Sequence, residues 1–337
     1  MTSWGYTLSS EEFDTAALVE QAVAAEEAGF SFSSVSDHFH PWTERQGHSP
    51  FVWTTVGAVL ARTAKLRLGT GVTCPLIRVH PAIIAHAAAS SAALGGDRFF
   101  LGIGTGEALN EHVTGERWPP IDQRREMLAE AVAVMRELWT GETVDHHGRY
   151  YTVENARLFT VPEQAPEIIA AAGGTEAARF AAEHADGLWV TSPDADVIDA
   201  YREAGGSGPV YGQVTLCWGD DEHAARQLAL EIWPNAGLPG QLSQDLPTFT
   251  HFEQASQLVR PEDHAKRVPA GPDPAPVVEL TAQYVDAGVD HVHFHQIGPD
   301  QAGFMAFWTN DLRDALAARL GDAANSQAAA VRRLSPR

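Results

Sequence analysis

Leu66-Arg67-Leu68-Gly69-Thr70-Gly71-Val72, then a proline-opened stretch over 81–94, then Arg98-Phe99-Phe100-Leu101-Gly102-Ile103, reads as strand, helix, strand. The two outer runs are short and apolar, and Pro81 suits the first turn of the helix between them. A parallel pair of strands needs a crossover of that length, so this unit points to a parallel sheet with helices packed outside it.

The same rhythm extends in both directions. Upstream, residues 4–8 and 30–35 read as strands. Residues 14–29 read as a helix capped by Asp14 and stopped by Gly29, and 50–64 as a second helix. Downstream, 119–139 reads as a long helix with Leu128, Ala131, Met135 and Leu138 at helical spacing. Strands at 167–171, 188–191, 210–218 and 291–296 follow, each leading into a helix. The rhythm breaks twice, at an alternating stretch over 142–161 that predicts a β-hairpin around His147-Gly148, and at 234–261, rich in Pro, Gly and Gln. The prediction is an α/β fold, a (β/α)8 TIM barrel with these two insertions, in one domain over 1–321 with a flexible tail at 322–337.

Bulk composition sets limits. With 337 residues and 44% hydrophobic content, a sizeable core can form. A formal charge of -21 argues against nucleic acid or anionic membrane as a partner. Cys74 and Cys217 stand far apart without a CxxC pair, which disfavours disulfides and thiolate zinc. No run approaches the roughly 18 apolar residues of a membrane helix, and the first residues do not resemble a leader, so a cytoplasmic protein is expected. Lys65 and Lys266 are the two lysines, so arginine carries most of the positive charge.

In such a barrel the chemistry sits on the loops after the strands. Ser36-Asp37-His38-Phe39-His40-Pro41-Trp42 follows the second strand with an acid, two imidazoles and an indole. Glu11 follows the first, either as an active-site carboxylate or as a helix-terminal acid. After the third come Gly69 to Pro75, where glycines beside Val72 suggest unusual backbone or an ordinary tight turn. After the fourth, Gly104-Thr105-Gly106-Glu107-Ala108-Leu109-Asn110-Glu111 lets backbone approach a planar ligand while Glu107 reaches its edge. Its glycines do not match the Rossmann spacing. After the fifth, residues 170–175 open a helix with glycines, a ready phosphate cradle.

His38-Phe39-His40 also resembles the start of a metal-dependent hydrolase site. Strands five and six, however, end in Ala172-Gly173-Gly174 and Thr191-Ser192-Pro193, without histidine, and His291, His293 and His295 lie within the last strand. No metal site is expected from these spacings.

The segments Ser36 to Trp42, Gly104 to Glu111 and Ala171-Ala172-Gly173-Gly174 resemble the glucose-6-phosphate dehydrogenases that use the deazaflavin coenzyme F420, a branch of the luciferase-like monooxygenase superfamily. The likeness runs over about residues 5–320 and includes Trp118-Pro119 and Ala265-Lys266-Arg267. It implies that His38 is the base for the substrate hydroxyl and that Trp42 lines the substrate side. Glu107 would be the acid toward the reduced ring, and Glu11 a further active-site carboxylate. Asp37, Gly71, Val72, Thr105, Asn110, Ala171, Ala172 and Gly173 would contact the cofactor, with a non-proline cis peptide at Gly71-Val72. It further implies a homodimer with F420 and a small-molecule substrate as partners.

The family's phosphate clamp of two lysines and one arginine is not reproduced. Asp194 stands at the first lysine, the second falls near Gln241, and Thr191 and Arg267 remain, with Arg78 and Arg260 as spare cations. The expected activity is F420-dependent oxidation of a hydroxyl group on a sugar phosphate, sugar or secondary alcohol. An FMN-dependent luciferase-like oxidoreductase or monooxygenase is the first alternative, and a metal-dependent TIM-barrel hydrolase the second.

Overall fold

In a computed structural model, which describes residues 2–321, the predicted strands close into a parallel barrel. The strands are β1 (Ser3–Leu8), β2 (Phe32–Val35), β3 (Arg67–Thr70), β4 (Phe99–Ile103), β5 (Glu167–Ala171), β6 (Gly187–Val190), β7 (Val210–Leu216) and β8 (His291–Gln296). β8 pairs back onto β1, with Tyr6 opposite Phe294. Strands β2, β4 and β6 are buried along their whole length, which is why β4 and β6 read as continuous rather than alternating apolar runs, while Ser33 and Ser34 interrupt β2.

The barrel interior is plugged by Phe32, Phe100, Ile169, Trp189 and Tyr211. Trp189 and Tyr211 stack with centroids 5.5 Å apart and planes 8° from parallel. Gly5 and Gly69 make room for two of these rings: a Cβ would fall 2.4 Å from Phe32 at position 5 and 2.1 Å from Phe100 at position 69. His293 belongs to the same layer, its Nδ1 2.7 Å from Thr7 Oγ1, and burial lowers its pKa to about 3.

Helix boundaries follow local chemistry. Asp14 accepts from the Ala17 N–H and starts Thr15–Glu27. Pro81 opens Pro81–Gly95. The helix expected over 119–139 spans Ile121–Leu138, because the Pro119-Pro120 pair stays outside it with Pro120 as the cap. β2 begins two residues later than its apolar run, since Phe30 packs outward on Trp308 at 4.4 Å. The last helix starts at Gln301–Phe307 and passes through a π-helical turn at Trp308–Leu312.

The first insertion is an antiparallel hairpin, Val144–His147 with Thr152–Ala156. The second folds into a 3-10 turn and short helices, Leu242–Asp245, Phe249–Ser256 and Pro261–Ala265. Residues 322–337, expected to form a tail, lie outside the described residues. Among the described residues no helix is long and apolar enough to cross a membrane.

Candidate active site

The segments following the C-terminal ends of β1 to β7 carry the candidate residues, as a barrel requires. Glu11 is buried beside His38, its Oε1 3.4 Å from His38 Nδ1. That distance is long for a hydrogen bond, and the nitrogen has no closer partner. The other carboxylate oxygen accepts from Ser36 Oγ at 2.6 Å and Ser9 Oγ at 3.1 Å. Glu11 is therefore anchored by two hydroxyls and aimed at the imidazole, which corrects its reading as a helix-terminal acid; the cap is Asp14. The His38 ring meets Trp42 edge to face, with centroids 4.8 Å apart. With Nδ1 turned to the carboxylate, Nε2 is left as the nitrogen that can exchange a proton with a ligand.

Asp37, next in sequence to His38, is fixed on both oxygens. Oδ2 accepts from Thr73 Oγ1 at 2.8 Å, and Oδ1 from Arg78 Nη2 at 2.9 Å. Arg78 also donates through Nε to Glu111 Oε1 at 3.3 Å, while its backbone N–H donates to Glu111 Oε2 at 3.0 Å. Burial raises the Glu111 pKa against the pull of Arg78. Burial opposes the Arg78 charge, but the two carboxylates beside it push its pKa above the ordinary arginine value. Arg78 is thus a committed buried cation and not the spare one the sequence suggested.

Asn110 is almost fully buried, and its Oδ1 accepts the backbone N–H groups of Phe39 at 2.9 Å and His40 at 3.0 Å. Two donors on the oxygen fix the amide orientation, so Nδ2 faces away from them, buried and without a partner. Glu107 stands half-buried at the start of the turn Ala108–Glu111. Behind it Arg124 donates to the carbonyls of Gly106 at 3.2 Å and Thr105 at 3.4 Å, and stacks 4.2 Å from the Trp118 ring.

The peptide between Gly71 and Val72 is cis. Val72 and Ala171 rest on the aromatic plug of the barrel and form an apolar floor. Gly104 lets this floor close, because a Cβ there would meet Val72 at 2.8 Å. At the end of β5, Gly173 and Gly174 border open space, and Gly174 starts the ten-residue helix Thr175–His184 with no side-chain cap. Free first-turn N–H groups beside open space suit a phosphate. An apolar floor, an orphaned amide donor, a carboxylate acceptor and this cradle together fit a planar ring on a polyol phosphate tail.

The residues expected on the substrate side offer fewer free cations than a phosphate clamp. Asp194 is exposed and caps the helix Ala195–Glu203 by accepting from Asp196 N–H at 3.1 Å. Arg267 donates to the carbonyls of Ala236 at 3.0 Å and Leu238 at 3.3 Å, bracing the second insertion. Thr191 and Gln241 are exposed, and neither makes a side-chain hydrogen bond to another described residue. Trp42 packs against Phe252 of that insertion, with centroids 5.0 Å apart.

The histidines do not converge as metal ligands. His40 turns Nδ1 to the Leu109 carbonyl at 3.2 Å, and His295 lies 3.4 Å from Glu12. Among the described residues no group of three or more His, Cys, Asp or Glu is arranged to hold a metal ion. Residues not singled out by sequence are Ser9, Ser36, Thr73, Glu111 and Arg124, which hold the others in place. Of these, Ser36, Thr73 and Glu111 stood within quoted stretches, and Ser9 and Arg124 did not.

The chain matches the family model described as luciferase-like monooxygenase over residues 2–291. It is 39% identical over 330 residues to an F420-dependent glucose-6-phosphate dehydrogenase of Mycolicibacterium gilvum, covering 93% of this chain and 97% of that one. To the enzyme of that description from Tsukamurella paurometabola it is 37% identical over 334 residues, covering 93% and 98%. Among solved structures it is similar to an F420-dependent secondary alcohol dehydrogenase in complex with an F420-acetone adduct. The TM-score is 0.86 at 27% identity, over 94% of this chain and 99% of that one.

Proposed function

The chain belongs to the luciferase-like monooxygenase family, and from that premise we propose that it is an F420-dependent dehydrogenase that oxidises a hydroxyl substrate to a carbonyl. The observation that carries this reading is the pairing of two proton-handling groups on neighbouring loops. His38 is backed by Glu11, and Glu107 stands on a loop tied to the His38 loop through Asn110.

Asp37, Gly71, Val72, Thr105, Asn110, Ala171, Ala172 and Gly173 would hold the coenzyme, which supplies a ring carbon that accepts hydride and a ring nitrogen that takes a proton. Val72 and Ala171 offer the ring an apolar face. Asn110 Nδ2, buried without a partner, would be free to donate to the coenzyme, and each Asp37 oxygen keeps a lone pair for a ligand hydroxyl. His38 takes the substrate hydroxyl proton on Nε2 as the carbinol carbon gives up hydride. Glu11 then stabilises the imidazolium, the role a carboxylate behind a histidine performs. Trp42 would shield the reacting carbon from water, and Glu107 would supply the proton that the ring nitrogen takes.

For the substrate, the reading favours a neutral sugar or secondary alcohol over glucose 6-phosphate. Asp194 puts a negative charge where the resemblance expects a lysine, and Arg267 is occupied by two carbonyls. Losing charge-assisted contacts worth ~1.5–3 kcal/mol each weakens a phosphate clamp severely. The protein is further read as a cytoplasmic homodimer, which sedimentation at micromolar concentration tests for assembly.

Fluorescence titration with F420 and with FMN tests the cofactor. Loss of oxidised F420 absorbance across free sugars, sugar phosphates and secondary alcohols then tests the reaction. Binding of FMN without F420 overturns the cofactor reading, and F420 binding without any turnover across the panel leaves a carrier in place of a dehydrogenase.

A further inference from the structure

We propose that Arg78 is a positioning residue that locks the loop carrying His38 to the loop carrying Glu107, and so sets the separation of the two proton-handling groups. The inference rests on the functional reading above for what those groups do. Its geometry is independent of that reading.

Arg78 lies on the segment after β3, between the two loops. Its guanidinium takes Asp37 on one side, through Oδ1 at 2.9 Å and the backbone carbonyl at 3.2 Å. On the other side its Nε takes Glu111 at 3.3 Å. The side chains of Arg78, Asp37 and Glu111 are 7%, 2% and 1% exposed, so all three charges are withdrawn from water. Asp37 adjoins His38. Glu111 closes the single helical turn that begins just after Glu107.

Burying three charges is costly, and apolar residues of similar volume commonly stabilise a core at least as well. What they cannot do is fix two loops in one register with directional side-chain bonds to three oxygens. Asn110 makes a second tie between the same loops through Phe39 and His40. Losing Arg78 therefore leaves the barrel and one tie in place, but sets two buried carboxylates against each other. Like charges in a low-dielectric site repel, and the two loops part.

The test compares wild type with R78M, which keeps the side-chain length without charge, R78K, which keeps charge without the fork, and the double variant R78M/E111Q. F420 affinity is read by fluorescence, kcat and KM by F420 bleaching, and folding by thermal melting. The His38 imidazole resonances of the cofactor-free protein are followed too, identified by their loss in H38A. For R78M we expect at least tenfold weaker F420 binding, a kcat at least tenfold lower with F420 saturating, and moved His38 resonances. R78K falls between R78M and wild type. The double variant regains most of the F420 affinity, because removing the second like charge removes the repulsion. Wild-type F420 affinity, kcat and His38 resonances in R78M overturn the proposal, as does a lower melting temperature with those three unchanged. If R78M does not fold, R78K decides by the same three readouts. If the wild type takes FMN in place of F420, the functional reading fails separately, and the His38 resonances still decide the role of Arg78.

Discussion

The carboxylate of Glu11 and the Nδ1 nitrogen of His38 face each other at 3.4 Å across two different loops. Ser9 and Ser36 hold the carboxylate on its far side, so the acid cannot swing away without breaking two hydrogen bonds. A histidine so backed has one nitrogen assigned to orientation and the other to proton transfer.

His38→Ala should lower kcat by a factor on the order of 10² to 10⁴, the usual range for losing a general base. F420 affinity should change less than about threefold, since His38 is read as a base for the substrate and not as a cofactor contact. Equilibrium titration beside steady-state kinetics checks this, and a large affinity loss would make His38 a cofactor contact instead. Glu11→Gln, which keeps shape and removes charge, should give a smaller fall of about tenfold to a hundredfold.

Glu107→Gln should slow the single-turnover reduction of F420 by about a hundredfold. Substrate affinity should hold, because Arg124 fixes the Thr105 and Gly106 carbonyls independently of the Glu107 side chain. Rapid mixing at saturating substrate gives the answer; an unchanged rate moves the proton source elsewhere.

Asp194→Lys should raise kcat/KM for glucose 6-phosphate by roughly ten- to a hundredfold, the equivalent of one charge-assisted contact. Neutral sugars and alcohols should respond less than about twofold. A panel measured on both proteins decides it, and an equal response to neutral and phosphorylated substrates would show that position 194 does not face the phosphate.

Stability should fall in mild acid because of His293. Its folded pKa is about 3, depressed first by burial and then by His295. In the unfolded chain a histidine titrates near ~6.5. Above that pH both states are neutral and nothing is lost. As pH drops from about 6.5 toward 3 the unfolded state alone gains a proton, removing about 1.4 kcal/mol of stability per pH unit from this residue. His293→Gln should flatten that slope in urea melts taken at a series of pH values; an identical slope would assign the acid sensitivity to other groups.

The barrel was legible because its signal is local. A strand buried on both faces shows as a short apolar run, and a helix over it shows as a 3.6-residue period, as at Leu128, Ala131 and Met135. The run at 30–35 overreached, since Phe30 is just as apolar facing Trp308 in the outer layer as it would be inside the sheet. His38 and Glu107 stood out through their motifs and the family likeness. The supports did not. Arg78 meets its partners across 33 and 41 residues, and a buried ion pair between distant loops leaves no periodic trace. Arg267 likewise looks like a free cation until the carbonyls of Ala236 and Leu238 are seen around it.

Trp42 meets His38 on one side and Phe252 on the other. Phe252 belongs to a segment inserted between barrel units, whereas the groups read as cofactor contacts lie elsewhere, on the β2 and β4 loops braced by Asn110, Arg78 and Arg124 and at the ends of β3 and β5. Mutations accumulating in the inserted segment can therefore reshape what the indole encloses and leave the hydride-accepting half untouched. Such a division lets one ancestral redox centre be inherited whole while its choice of alcohol drifts between lineages.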